Sequence, residues 1–268
     1  MTVVLMLLGM VSATAATAQA APQRTAASIV CSNSPIPPGW VITSSYSSSG
    51  CPGTGVAYTI ADVSGLNGAT VCSMSPIPTG WVITSSYSSA GCAGTGVAYS
   101  IANTATLNGA TVCSMSPIPT GWVITSSYSS AGCAGTGVAY SISNTAGRAG
   151  ATVCSMSPIP TGWVVTSSYS SAGCAGTGVA YSISNTAGRT GATVCSMSPI
   201  PAGWVVTTSY SSAGCAGTGV AYTIADTAGR TGATVCSFSP IPSGWVVSGS
   251  YSTSSCYGSG WAYNIRKA

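Results

Sequence analysis

Hydrophobic and polar positions recur in the same order every 41 residues, and the stretch from 191 to 231 illustrates the pattern. Residues Trp204 to Tyr210 form a run of β-branched and aromatic side chains, which is typical of a strand. Residues Val220 to Ile224 alternate large and small side chains, which predicts a second strand with one buried face. A shorter strand is expected around Thr234 to Cys236, where the next unit begins. The pattern therefore predicts an all-β protein.

Turn signals separate these strands. The Ser-Pro-Ile-Pro segment from Ser198 to Pro201 fixes backbone angles and removes two N–H donors, so it predicts a turn or an edge. A Ser-Ser-Ala-Gly turn precedes Cys215, and a linker of small and polar residues runs from Ala225 to Gly232. Three short strands cannot bury enough apolar area alone, so each unit needs a disulfide, a metal or neighbouring units.

The repeat sets the expected architecture, because it continues without insertion or deletion. We predict six tandem disulfide-stabilised β repeats in a linear array. A continuous β-solenoid with two coils per period is one alternative, and a closed six-bladed propeller is another, although a propeller blade needs four strands. The predicted divisions are a signal peptide at 1–20 and repeats at 21–67, 68–108, 109–149, 150–190, 191–231 and 232–268.

Twelve cysteines, two in each repeat, form two series with the same period. Pairing within a repeat would close a loop of about 20 residues and stabilise the fold by roughly 3 kcal/mol. Pairing between repeats stays open, because the next cysteine is only one residue further away along the chain. The predicted pairs within repeats are Cys31 with Cys51, Cys72 with Cys92, Cys113 with Cys133, Cys154 with Cys174, Cys195 with Cys215, and Cys236 with Cys256.

The N-terminal residues resemble a secretion signal. An apolar run from Val3 to Val11 has the length of a signal-peptide core, and Ala18-Gln19-Ala20 is a small-residue cleavage site. The segment before the run carries no Lys or Arg, which is atypical of such signals. An apolar run of this length is too short to span a bilayer, and no later segment is long enough. We expect a secreted, extracellular protein, which agrees with the even number of cysteines.

Charge is unusually scarce, since only 3% of the residues are charged and the net charge is +4. Six Lys and Arg spread over the chain cannot form the basic stripe that nucleic acid binding needs. Nucleic acid is therefore excluded as an expected partner. A surface of small polar residues and tyrosines, together with high β content, favours self-association.

Differences among the repeats indicate which positions need a particular chemistry. The two acids, Asp62 and Asp226, align with Asn in the second, third and fourth repeats, which favours turn formers over catalytic bases or metal ligands. Arg148 and its copies align with Leu107, which indicates an exposed position. The residue two after the first cysteine is Met in four repeats, Asn33 in the first and Phe238 in the last, which suggests a soft contact between adjacent repeats.

Each repeat carries a Trp soon after its Pro-rich segment, and a Tyr follows this Trp six residues later; the last repeat also carries Trp261. On a regular strand this offset places both rings on one face. Large side chains are needed in a very small core, so we interpret them first as core residues. The functional alternative is an aromatic platform that stacks on sugar rings. The candidate binding residues are Trp40, Trp81, Trp122, Trp163, Trp204, Trp245, Tyr46, Tyr87, Tyr128, Tyr169, Tyr210 and Tyr251.

No catalytic, cofactor or metal site is predicted. The sequence has no His, one Lys and two Asp that lie in different repeats, so the many serines lack the base that activates a nucleophile. The cysteine spacings do not match the close pairs of zinc sites. The Gly-rich segment before the second long strand precedes no helix, so it is not a phosphate-binding loop.

These observations lead to three functional hypotheses. The first is a non-catalytic structural or adhesive protein at an extracellular surface, in which each repeat adds one weak contact. The second is a multivalent carbohydrate-binding lectin, with aromatic rings stacking on glycans and hydroxyl groups supplying hydrogen bonds. The third is a protein that binds ice or a mineral surface. Glycans, a cell surface and further copies of the chain are therefore the expected partners.

Overall fold

A computed structural model describes residues 27–268, so the predicted signal peptide at 1–20 lies outside the described residues. The described part folds into six three-stranded antiparallel sheets, one from each repeat, and contains no helix. The prediction of an all-β linear array of disulfide-stabilised repeats is confirmed.

Each sheet has a short first strand and two longer ones. The first strands are β1 (Ala27–Cys31), β4 (Gly68–Cys72), β7 (Gly109–Cys113), β10 (Gly150–Cys154), β13 (Gly191–Cys195) and β16 (Gly232–Cys236). The second strands are β2 (Trp40–Ser47), β5 (Trp81–Ser88), β8 (Trp122–Ser129), β11 (Trp163–Ser170), β14 (Trp204–Ser211) and β17 (Trp245–Ser252). The third strands are β3 (Val56–Asp62), β6 (Val97–Asn103), β9 (Val138–Asn144), β12 (Val179–Asn185), β15 (Val220–Asp226) and β18 (Trp261–Lys267).

The third strand of every repeat is the central one, with the first and second strands on its two sides. Local chemistry explains where the second strand begins. The Pro-rich loop cannot continue a sheet, and Gly80 adopts a φ of 80° before Trp81. That left-handed conformation turns the chain into β5 and favours glycine.

A β-bulge interrupts the second strand of every repeat. In the second repeat, Ile83 pairs with Ile101 and Ser85 pairs with the adjacent Ser100, so Thr84 is the additional residue. A bulge of this kind shifts the side-chain alternation of one strand by one position. All residues after Thr84 in β5 therefore face the side opposite to the one that simple alternation predicts.

The hydrophobic core lies between the repeats and not inside one sheet. One cluster combines Val41 of the first repeat, Trp81, Ile83 and Ile101 of the second, and the disulfide of the third repeat. The next cluster repeats the same arrangement one period later. A three-stranded sheet has two faces and no interior, so stacking on its neighbours is what buries its apolar side chains.

Hydrogen bonds join consecutive repeats along the outer edge of the second strand. Ser45 N–H donates to the Gly91 carbonyl at 2.9 Å, and Ala93 N–H donates to the Ser45 carbonyl at 3.2 Å. The Ser45 hydroxyl also donates to the Ala93 carbonyl at 2.6 Å. The loop of each following repeat thus covers an edge that would otherwise expose unpaired backbone groups.

A buried serine makes the fourth bond of this interface. Ile42 N–H donates to the Ser75 hydroxyl oxygen at 2.8 Å, and that hydroxyl donates to the Pro76 carbonyl at 3.1 Å. The same bond recurs between Ile83 and Ser116, and at the three following interfaces. The position of the Ser-Pro-Ile-Pro turn is therefore fixed by the preceding repeat.

All six disulfides join the two cysteines of one repeat, with a sequence separation of 20. Cys72 and Cys92 also pack on Ile42 and Ile60 of the preceding repeat, so the disulfide is part of the interface. Among the described residues, strands contact each other only within a repeat or between consecutive repeats. The sheets do not close, so the propeller alternative is wrong, and one sheet per period replaces the two coils of the solenoid alternative.

Candidate functional site

The tryptophans at the start of the second strands lie in the core between repeats, whereas Trp261 of the last repeat is 49% exposed. Those of the second to fifth repeats are buried, with Trp122 only 4% exposed and packed on Val82 of the preceding repeat. Trp40 and Trp245, in the two terminal repeats, are partly buried. The inner tryptophans therefore present no ring face to a ligand on the array surface.

The tyrosines lie on the opposite face from the tryptophans. Tyr87 pairs with Ala98, whereas Trp81 pairs with Asn103, and these two partners are separated by an odd number of positions on β6. The expectation of a shared face is wrong, because the bulge at Thr84 reverses the alternation between the two rings. The second-strand tyrosines remain 38–43% exposed and form a row with one ring per repeat.

A groove recurs beside this row where one repeat meets the next. Between the third and fourth repeats it encloses about 560 Å³ and is lined by Tyr128, Tyr140, Met156, Thr136 and Thr177, among others. A groove of about 410 Å³ occupies the equivalent place two repeats later, between the fifth and sixth. Two aromatic rings, a thioether and several hydroxyl groups thus meet at a repeat junction.

The methionine that lines the groove makes the contact between adjacent repeats that the sequence predicts. Met74 packs against the cluster that contains Ile42 and Ile60 of the preceding repeat. In the last repeat Phe238 takes its place, and its ring centre lies 5.1 Å from that of Tyr222. Both side chains fill the floor of the junction, and Met is suited to this because it adapts to irregular gaps.

A second cleft lies at the Pro-rich loops of the first two repeats. It has a volume of about 510 Å³ and is lined by Ile36, Pro37, Trp40, Ile77 and Trp81, among others. Trp40 is more exposed here than its copies in the inner repeats. Sequence reasoning missed both clefts, because neither exists within a single repeat.

The two acidic residues form turns, as expected. The Asp62 carboxylate accepts a hydrogen bond from Ser64 N–H at 2.8 Å, and the Asn103 side chain accepts the equivalent bond from Ala105 N–H at 3.0 Å. Hydrogen bonds from the side chain and the backbone of Ser64 hold the pKa of Asp62 below its ordinary value. A carboxylate held in this way favours its charged form and is a poor proton acceptor.

Comparison with protein families, with characterised proteins and with solved structures finds no match for this chain. The surface chemistry is therefore the guide to function. Within residues 27–268, no group of three His, Cys, Asp or Glu lies close enough together to hold a metal ion. The same residues include no helix of the length and apolarity that a membrane span requires.

Proposed function

We propose that this chain is a secreted, non-catalytic structural or adhesive protein that acts at an extracellular surface. The observation that supports this best is that one interface pattern recurs at all five junctions between repeats. Each uses the same apolar cluster and the same set of hydrogen bonds. The array therefore holds one surface, repeated six times, in a defined arrangement.

A stacked array is well suited to multivalent contact. Linked binding surfaces convert every contact after the first into an intramolecular one, so several weak contacts hold together. In this chain an exposed second-strand tyrosine recurs in every repeat, and grooves of the same kind lie at two of the junctions between repeats. Because the repeats also pack on each other, little conformational freedom is lost when several of them bind at once.

The use of the polar side chains supports a non-catalytic role. The buried hydroxyls of Ser45 and Ser75 are committed to hydrogen bonds between repeats. All twelve cysteines form disulfides. The disulfides also support an extracellular location, because such bonds persist in oxidising compartments.

Changing the number of repeats tests this proposal. Deleting residues 109–149 removes one whole period and places Ile83 N–H opposite Ser157, which is equivalent to its natural partner Ser116. We expect the shortened array to fold and to detach faster from polysaccharide, cell-wall and mineral surfaces, by a constant factor for each deleted period. Retention that is absent for the full chain on every surface, or independent of repeat number, would contradict the proposal.

A multivalent lectin is the second candidate, favoured by the tyrosine-lined groove. Aromatic faces and hydroxyl groups in one cleft are the features of a carbohydrate site. The candidate rings are now the tyrosines and not the buried tryptophans. Soluble oligosaccharides should then compete with adhesion, and Tyr128→Ala together with Tyr169→Ala should weaken glycan binding. Adhesion that soluble sugars leave unchanged would favour the structural or adhesive role instead.

A further inference from the structure

The two ends of the array expose opposite halves of the interface that joins the repeats. Val246 and Val247 of β17 are 39% and 48% exposed, whereas their copies in the other five repeats are at most 3% exposed. At the other end, Val30 and Cys31 are partly exposed. The copies of Val30 and Cys31 in later repeats are completely buried.

We propose that the last repeat of one copy binds the first repeat of a second copy, so that the protein assembles reversibly end to end. The bound surface would be a sixth version of the interface already present five times within the chain. Because the two surfaces differ, the contact is heterologous and generates linear chains unless it closes into a ring.

The apolar contacts of the internal interface can form at this junction. Within the chain, Ile42 and Ile60 pack on Cys72, Cys92 and Ala98 of the next repeat. The equivalent residues of the last repeat are Val247 and Ile265. Val247 is exposed and would meet Cys31 of the second copy, which is only partly buried and is identical to the Cys72 contacted internally, whereas Ile265, Cys51 and Ala57 are already buried within their own chains.

Three of the four hydrogen bonds can also form. Val247 N–H can donate to the hydroxyl oxygen of Ser34, as Ile42 N–H does to Ser75. Ser250 N–H can donate to the Gly50 carbonyl, and the Ser250 hydroxyl to the Pro52 carbonyl, following the pattern of Ser45. Within residues 27–268, the outward backbone groups of Ser250 bond to no other backbone group.

The fourth hydrogen bond is missing for a definite reason. Ala93 N–H donates to the Ser45 carbonyl at 3.2 Å, but Pro52 stands at the equivalent position of the first repeat and has no N–H. Natural sheets use proline on exposed edges to limit pairing with other chains. Asn33 in place of Met also makes this end more polar. Both substitutions weaken the contact, so the assembly is reversible.

Analytical ultracentrifugation of the purified oxidised protein over a wide concentration range tests this inference. We expect the average mass to rise with concentration, and electron microscopy to show particles whose lengths are multiples of one array. A single mass equal to that of the monomer at all concentrations would overturn the proposal.

Two substitutions define which surfaces are in contact. Val247→Arg places a charge on the open face of the last repeat and should abolish association. Because Val247 is about half exposed, the variant should still fold, and an unchanged thermal unfolding midpoint would check this. Pro52→Ala restores the missing donor, using the residue that four inner repeats carry. It should raise the association constant roughly fivefold, as one added neutral hydrogen bond would.

Leu107→Arg is the matched control, because it adds the same charge at a linker position where the next three repeats carry Arg. Association should be unchanged in this variant. Equal loss of association in the Val247 and Leu107 variants would show that net charge alone is responsible, and would overturn the proposal. Association that is unaffected by both Val247→Arg and Pro52→Ala would also overturn it.

Discussion

At the scale of single residues, a few small side chains hold the array together. Ser45 and Ser75 are both buried, and both bond to backbone groups of a neighbouring repeat. Every buried polar side-chain atom among the described residues has a hydrogen-bond partner. Serine is usually a surface residue, but here its hydroxyl satisfies strand groups that the sheet itself leaves unpaired.

Removing one of these hydroxyls should weaken the array measurably. In Ser116→Ala the Ile83 N–H loses its buried partner, and leaving such a donor unsatisfied costs about 1–3 kcal/mol. Chemical denaturation followed by tryptophan fluorescence would measure this loss in the free energy of unfolding. Ser34→Ala is the matched control, since no repeat precedes Ser34 among the described residues, and its effect should be much smaller.

The scarcity of ionisable groups predicts a stability that varies little with pH. The lowered pKa of Asp62 means that its stabilising contribution is complete above the unfolded carboxyl pKa of about 3.9. That contribution is lost as the pH falls through the lower pKa of the folded state. We expect nearly constant unfolding midpoints between about pH 5 and 8, with a small fall at more acidic pH.

The variant Asp62→Asn tests the source of that fall. Asn103 shows that an amide makes the same turn in the next repeat, so the fold should tolerate the change. Unfolding midpoints measured across the acidic range should decline less in Asp62→Asn than in the parent protein. A large decline in stability between pH 8 and pH 5 in either protein would contradict this interpretation.

At the scale of one element, the three-stranded sheet depends on its disulfide and on its neighbours. The disulfide of the third repeat closes a loop between β7 and the turn before β9, and it packs on Ile83 and Ile101 of the second repeat. It therefore restricts the unfolded chain and also fills part of the interface. The sheet cannot be separated energetically from the repeats on either side.

Replacing Cys113 and Cys133 together by Ala should destabilise the array by roughly 3 kcal/mol, because loop closure no longer restricts the unfolded chain. Calorimetry would measure the change in the unfolding transition. Replacing Cys31 and Cys51 is the comparison, since Cys31 is only partly buried and that disulfide has no preceding repeat among the described residues. We expect removal of the terminal disulfide to lower the free energy of unfolding by a smaller amount. Equal decreases for the two disulfides would contradict a contribution from interface packing.

At the scale of the whole molecule, stacking converts six small sheets into one elongated body. A compact domain of similar length has a radius of gyration of about 18 Å, and the array should exceed that value clearly. Small-angle scattering at low concentration should also show a distance distribution skewed towards long distances. A value close to that of the compact domain would contradict the linear arrangement.

The sequence alone was sufficient to predict the repeat, its three strands and the positions of the turns. Those features depend on residues close together in the chain, such as the Pro-rich loop and the alternation from Val220 to Ile224. Disulfide pairing within a repeat was predicted because each repeat has two cysteines of its own, but the nearly equal spacings left pairing between repeats open.

Only the tertiary structure decided which rings are buried and which are exposed. The bulge at Thr84 depends on pairing with β6, and it places Tyr87 and Trp81 on opposite faces. The buried contact between Ile83 and Ser116 and the grooves beside the tyrosines exist only when two repeats pack together. The sequence of near-identical repeats does not distinguish stacked sheets from separate ones. The same apolar residues could be buried inside one repeat or between two repeats, and only the packing of neighbouring repeats decides between these arrangements.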